Sequence, residues 1–271
     1  MKFLPNLNRE LFEILTRDPQ TNLLSEDKIM KATDIIKRDI VQVAERTRQG
    51  RKIIEVIQIK PGQITTYKQK EAEALYRTKD GKFERVKSGT TSMPLTPYPI
   101  KISQLIPNEW IEDQIPVYGF FDNLGRSLAV KEDKDIVETI FEAADVVINA
   151  STPGNLTLDD VTSARGKIEF SRHAALIAHP LDMADLRKDI RRPLEDVLKM
   201  LEIRIMERPY LPEGTALVLD TQRYSVALFE RRPITVRLFD DPLHDGVGII
   251  TTQRYVPIVL DCNKVVKINN C

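Results

Sequence analysis

The stretch Gly214–Ile268 reads GTALVLDTQRYSVALFERRPITVRLFDDPLHDGVGIITTQRYVPIVLDCNKVVKI. Apolar and β-branched residues alternate with polar ones along it, and clusters of Asp, Gly, Pro and Asn break the runs. A period of two with such punctuation marks half-buried strands joined by turns. Strands are expected over 215–219, 223–229, 234–239, 247–259 and 264–268, with a further one at 203–207. No catalytic signature falls inside the stretch. The segment with the clearest structure therefore carries no chemistry of its own.

Upstream, the pattern is mixed. Residues 1–24 read as an arm with one short helix, broken by Pro5 and Pro19. Residues 25–48 form an amphipathic helix: Ser25 can cap it, Glu26 and Asp27 suit the positive end of its dipole, and Ile29, Ala32, Ile36, Ile40 and Val43 share a face. Gly50 closes it. Over 53–70, IIEVIQIK and QITTYKQK flank Pro61-Gly62, which predicts a hairpin. A second, charged hairpin is predicted around Asp80-Gly81, between ALYRTK and KFERV. With so few apolar residues it needs a surface to pack on, because a lone hairpin is marginal in water. Residues 88–100 read as loop or extended return.

The longest predicted helix covers 121–149, capped by Asp122. Its buried stripe is Leu124, Leu128, Ile136, Ile140, Ala143 and Val147, and the run Lys131–Asp135 interrupts it as a solvated turn. A break at Ser151–Gly154, a helix from Thr157, a small strand Ala174–Ala178 and helices over 181–190 and 193–201 complete the chain. The elements define an α+β fold.

Composition narrows the function. The 271 residues carry 40 Lys plus Arg against 40 Asp plus Glu, so the formal net charge is zero. Dedicated nucleic-acid binders carry a basic excess, and near-zero charge leaves little self-repulsion between copies. The two cysteines, Cys262 and Cys271, fit neither a zinc motif nor a disulfide framework. No apolar run approaches the ~18 residues of a membrane span. No phosphate loop, dinucleotide fingerprint, paired-histidine zinc helix or nucleophile elbow is present. Among the three histidines, His244 between Asp240, Asp241 and Asp245 is the best metal candidate, although turn chemistry explains that cluster as well. His173, on a predicted helix end, and His179 read as ordinary polar residues, and Trp110 as a core anchor. No cofactor is expected.

The order of elements resembles the Johnson fold of tailed-bacteriophage and archaeal-virus major capsid proteins, which encapsulin shells share. PIKISQLIPNEWIEDQ (99–114) resembles the return from the family's extended loop, and LAVKEDKDIVETIFEAA (128–144) its long spine helix. LPEGTALVLDTQRYSVALFERRPITVRLFDD (211–241) and TTQRYVPIVLDCNKVVKI (251–268) are similar to its closing strands. The resemblance implies an N-terminal arm and helix (1–52), an extended loop (53–101), a peripheral domain with a spine helix (102–150 and 230–271) and an axial domain (151–229). It implies an icosahedral shell built from pentamers and hexamers of this chain, with scaffolding, portal or protease proteins as helpers. The shell would enclose double-stranded DNA in a virion assembled in the host cytoplasm, with no membrane. An encapsulin compartment around cargo protein is the alternative, and an α+β enzyme with a site near His179, Asp182 and His244 a third reading. The implied assembly contacts are Lys79, Asp80, Gly81 and Lys82 on the loop, Glu132 and Asp133 on the spine helix, and Arg231, Arg232 and Arg254 on the strands. Some relatives join a loop lysine to a neighbour's asparagine; no motif marks Lys79, Lys82 or Lys87, or Asn263 or Asn269, for that role.

Overall fold

The computed structural model describes residues 11, 13–15, 24–69, 90–168, 173–190, 193–222, 225–241 and 243–271. They form an α+β fold that divides into two compact units. Unit 1 is Met1–Arg48, Pro97–Glu132 and Arg231–Tyr255; unit 2 is Gln49–Thr96, Asp133–Glu230 and Val256–Cys271.

Unit 1 packs helices on one face of a sheet. Helix α1 (Glu26–Thr47) begins as its sequence directs, with Ser25 Oγ accepting from Lys28 N–H. Its apolar side, Ala32, Ile36, Ile40 and Ala44, is fully buried. Later come strand β4 (Tyr98–Pro107), the short helix α3 (Asn108–Glu112) and the first part of the 26-residue helix α4 (Tyr118–Ala143). Strands β9 (Val226–Asp241) and β10 (Gly246–Val259) close the unit, in the order β9-β10-β4. β10 and β4 are antiparallel, Gly246 opposite Pro107 and Tyr255 opposite Tyr98. Ile234, Val236, Leu238, Val247, Ile249 and Ile106 point into a core shared with α1, Phe121, Leu124 and Leu128. At Gly125 the helices touch so closely that a Cβ would lie 2.7 Å from the Ile40 carbonyl oxygen.

In unit 2 a turn of helix, α2 (Gly50–Ile53), precedes β1 (Glu55–Gln58), and the ribbon strands are β2 (Thr65–Gln69) and β3 (Thr90–Pro94). Then come the end of α4, β5 (Val146–Asn149), α5 (Leu158–Lys167), β6 (Ala174–Ala178), α6 (Pro180–Asp189), α7 (Leu194–Met200), β7 (Ile203–Glu207), β8 (Thr215–Asp220) and β11 (Val265–Asn269). A five-stranded mixed sheet runs β5-β11-β8-β6-β7. One face, with Leu176, Val218, Val266 and Ile268, is sealed by Val161, Met183, Leu186 and Leu198 from the three short helices. On the other face Lys267 Nζ sits 3.8 Å above the Phe141 ring of α4. Thr157 starts α5 with a capping box: its Oγ1 accepts from Asp160 N–H, and Asp160 accepts from Thr157 N–H at 3.0 Å and Ser151 N–H at 2.8 Å. Burial pushes the Asp160 carboxyl up, but the bonds from Thr157 and Ser151 together outweigh it and hold the group below the usual range.

Several expectations are corrected. The Pro61-Gly62 turn exists, with Gly62 at φ 81°. It does not close a hairpin: β1 lies parallel to β9, Glu55 opposite Ala227, while β2 pairs with β3. Of the two readings of 88–100, the extended one holds over 90–94 and 98–100, which are strand. Gly50 opens a helical turn instead of ending α1. The long helix starts before Asp122 and stops at Ala143, because the β-branched run Val146-Val147-Ile148 pairs with β11. Lys131–Asp135 is no solvated turn, since Glu132, Asp133 and Asp135 are buried. The strands expected at 223–229 and 234–239 are one 16-residue strand. His173 immediately precedes β6, not a helix end. The second hairpin, with Lys79, Asp80, Gly81, Lys82 and Lys87, lies outside the described residues, as does most of the arm.

Candidate functional site

The contact residues expected from the sequence lie in or beside three described places: the ribbon, the buried acids of α4 and the arginine-bearing sheet. The ribbon pairs Thr65 with Pro94 and Gln69 with Thr90. Its root is a small cluster of Ile59, Leu95, Ala227, Phe229, Ile258 and Leu260, with Met93 packed against it. Leu95 N–H donates to the Ile64 carbonyl at 2.8 Å, yet the Ile64 side chain is 74% exposed. The root is thus anchored, and β2 and β3 lead toward the stretch that holds Lys79, Asp80, Gly81 and Lys82.

Glu132 and Asp133 are adjacent in sequence and serve separate units. In unit 1, Glu132 is 0% and Arg48 3% exposed, and Arg48 Nε lies 3.2 Å from Glu132 Oε1 as an ion pair without hydrogen-bond alignment. Gln253, also buried, bridges them: it accepts from Arg48 Nη2 at 3.0 Å and donates through Nε2 to Glu132 Oε2 at 2.5 Å. In unit 2, Asp133 accepts from Gly50 N–H at 2.8 Å and from Gln49 N–H at 3.0 Å. It is a remote cap for α2, an anion at the positive end of a helical turn. Both carboxylates are engaged inside the chain. Sequence reading found the acids but missed Arg48 and Gln253. The signal available was that Glu132 falls near the Leu124–Leu128–Ile136 stripe, where a charge needs a buried partner.

Arg231 and Arg232 are exposed where β9 enters unit 1, and Arg254 is half-buried on β10 with Nη2 donating to the Pro97 carbonyl at 3.3 Å. β9 alternates strictly from Ile234 onward, so Thr235, Arg237 and Phe239 face away from the core. Thr235 Oγ1 lies 2.7 Å from Thr252 Oγ1, which puts Thr252 and Arg254 on the same outer face. Across β4, Lys101 stands opposite Thr252 and Pro99 opposite Arg254. Lys101 and Arg237 were missed by sequence reading, although each sits at a polar position between apolar neighbours, which is what period-two alternation exposes.

The remaining candidates stay dispersed. His244 Nδ1 is 2.9 Å from Asp241 Oδ2 in an exposed turn. Among the described residues no group of three or more His, Cys, Asp or Glu side chains could hold a metal ion. Among them, too, no helix is long and apolar enough to cross a membrane. Trp110 is half-buried, edge-on to Phe120 with ring centres 5.6 Å apart. His179 caps α6, its Nδ1 accepting from Leu181 N–H.

Neither a family model nor a curated protein matches the sequence. Solved structures do match the fold. A virus-like particle from Pyrococcus furiosus is similar with a TM-score of 0.66 at 14% identity, over 86% of this chain and 98% of that one. The capsid of cyanophage P-SCSP1u gives 0.60 at 12% identity, over 80% and 86%. A holo encapsulin complex from Synechococcus elongatus gives 0.56 at 11% identity, over 83% and 89%. The chain has the fold that these phage-capsid and encapsulin subunits share.

Proposed function

We propose that this chain is the subunit of a self-assembling icosahedral shell and, within that class, the major capsid protein enclosing the DNA genome of a tailed virus or prophage. The supporting observation is the extent of the likeness: it spans 80–86% of this chain and 86–98% of those three subunits, so no large part of either fold is left over. The role is structural rather than catalytic, and its principal partner is further copies of itself in pentamers and hexamers. Scaffolding, portal or protease proteins act during assembly, and the shell is assembled in the host cytoplasm.

In this reading 1–52 is the arm and helix, 53–101 the loop reaching a neighbouring copy, 102–150 and 230–271 the peripheral part and 151–229 the axial part. The loop residues Lys79, Asp80, Gly81 and Lys82 make the contact between copies. Glu132 and Asp133 serve assembly by holding the shape of their units. Heterologous contacts that close on themselves are what let one chain type enclose a volume. The likeness to an encapsulin complex favours a second reading, a compartment around cargo protein.

The test is to express the chain, alone and with scaffolding protein, and examine it by negative-stain electron microscopy beside light scattering. Closed particles or rings of five or six are expected. A monodisperse monomer or dimer at high concentration under both conditions overturns the shell reading. The particles' native content, nuclease-sensitive DNA or a second protein, separates virion from compartment.

A further inference from the structure

The outer face of the unit 1 sheet is uncovered among the described residues, and its charge is of one sign. Lys101 and Arg237 are exposed and Arg254 half-exposed, and among the described residues none of the three makes an ion pair with an acid. Hydroxyls of Ser103, Thr235 and Thr252 lie between them on the same face. No strand position of this face between Pro233 and Phe239, Gly248 and Arg254, or Pro99 and Leu105 is acidic. The acids of the hairpin, Asp240, Asp241 and Asp245, gather at its turn instead. At about 3.3 Å per residue, the turn is roughly 13 Å from Arg237 and about twice that from Arg254. Both separations exceed the ~8 Å screening length at physiological salt. The cations are therefore not neutralised by their own hairpin, even though the chain as a whole is neutral.

The register fixes the array. Lys101 occupies the row of Thr252, Arg254 the next row one way, and Arg237 the next row the other way. With strands about 4.8 Å apart and rows about 6.6 Å apart, the three charges form a triangle with sides of roughly 8–14 Å. We infer that this face binds the phosphodiester backbone of nucleic acid. Arg, Lys, Ser and Thr are the side chains that contact phosphate, and a flat, open array of cations suits a polymer with charge at short regular intervals. A protein partner would be expected to find an apolar centre with aromatic anchors. The apolar side chains of this face, Leu105, Phe239 and Ile250, gather toward its turn end instead, with the Phe239 ring folded over Gly248. The inference adds to the shell reading a surface that meets the enclosed genome, and it rests on that reading for the identity of the contents.

The test uses the full chain, a fluorescein-labelled random-sequence 30-base-pair duplex and anisotropy titrations at several salt concentrations, with electron micrographs of the same samples. Three phosphate contacts predict a slope of log K against log salt of about −2.7, since each contributes about −0.9. The double variant Lys101→Ser/Arg237→Ser should lose about 1.8 of that slope and bind roughly 50-fold more weakly at 0.1 M salt. Unchanged affinity and slope in the double variant overturns the inference. So does a wild-type chain that binds polyglutamate but not the duplex, which would point to an acidic protein. Particles that close in the presence of the duplex and neither bind nor enclose it reject this face and leave the shell reading standing. Duplex binding lost in the variant, with no particles formed by either protein even when scaffolding protein is added, supports the face while the shell reading fails.

Discussion

Glu132 shows what a single charge does in this fold. Its carboxylate, the Arg48 guanidinium and the Gln253 amide are all buried, with Arg48 ion-paired to Glu132 and Gln253 hydrogen-bonded to both. Once Glu132 is removed Arg48 keeps a second acid, the exposed Glu45, so the loss falls between the about 3–5 kcal/mol of a buried charge left unpaired and the ~0.5 kcal/mol of a solvated one. Glu132→Ala should therefore lower the urea midpoint; a change within error would mean the acid is solvated after all. Asp182 makes the opposite case. It is buried at the start of α6, where Oδ1 accepts from Gly214 N–H at 3.2 Å and Oδ2 has no partner. Burial raises its carboxyl above the usual range, Gly214 N–H and His179 pull it down, and Asp185 and Glu213 push it up. A raised folded value means this residue's stabilising contribution is full below the unfolded value, near pH 4, and is lost as pH climbs through the folded value. The stability of Asp182→Asn relative to the parent should accordingly improve from about pH 4 to pH 7. A difference that shrinks over that range defeats the assignment. Cys271 is held still more firmly: burial first, with Asp182 and Asp160 nearby, pushes its thiol up to about 12. A thiol reagent should label the half-buried Cys262 in the native protein and Cys271 only on unfolding.

Between elements, the approach of α1 to α4 depends on Gly125. A Cβ there would meet the Ile40 carbonyl oxygen at 2.7 Å and Val43 Cβ at 2.9 Å. Backbone cannot swing aside, so Gly125→Ala should cost about 1–3 kcal/mol despite alanine's helix advantage of ~1 kcal/mol. Gly248→Ala is the control, because the clash there is with the exposed Phe239 ring, which can rotate away. Equal thermal shifts for the two variants would contradict this account. The same elements show how far sequence reaches. The buried face of α1 was legible because Ala32, Ile36 and Ile40 recur at helical spacing, and its cap because Ser25 stands just ahead of two acids. The long helix was legible, but its acids were misread: Lys131–Asp135 looks like solvent-facing sequence, and only the distant partners Arg48, Gln253 and Gly50 reveal the burial. β1 was assigned the wrong partner for a related reason. A Pro-Gly turn is a local signal, whereas pairing of Glu55 with Ala227 joins strands some 170 residues apart and leaves no mark on either. The outer sheet face was half legible, through Arg254 and Arg231, and needed the β10–β4 register to bring Lys101 alongside.

At the scale of the molecule, folding and assembly should separate. The described residues by themselves form the clusters at the sheets and at the ribbon root. Gln69 and Thr90 are directly paired, so a two-residue Asn-Gly turn can replace everything between them without disturbing β2 or β3. The shortened chain should keep the parent's circular dichroism spectrum and a urea midpoint within error of it. It should also fail to form closed particles, because under the shell reading the deleted stretch is what reaches the next copy. The spectrum makes the result interpretable: an unfolded variant says nothing about assembly, and a folded one isolates the loop's role. If folded, loop-less protein still gave particles of normal size, the contact between copies would have to come from residues outside 70–89. The exposed Leu243 at the β9–β10 turn and Ile64 beside the ribbon root would then be the first to change.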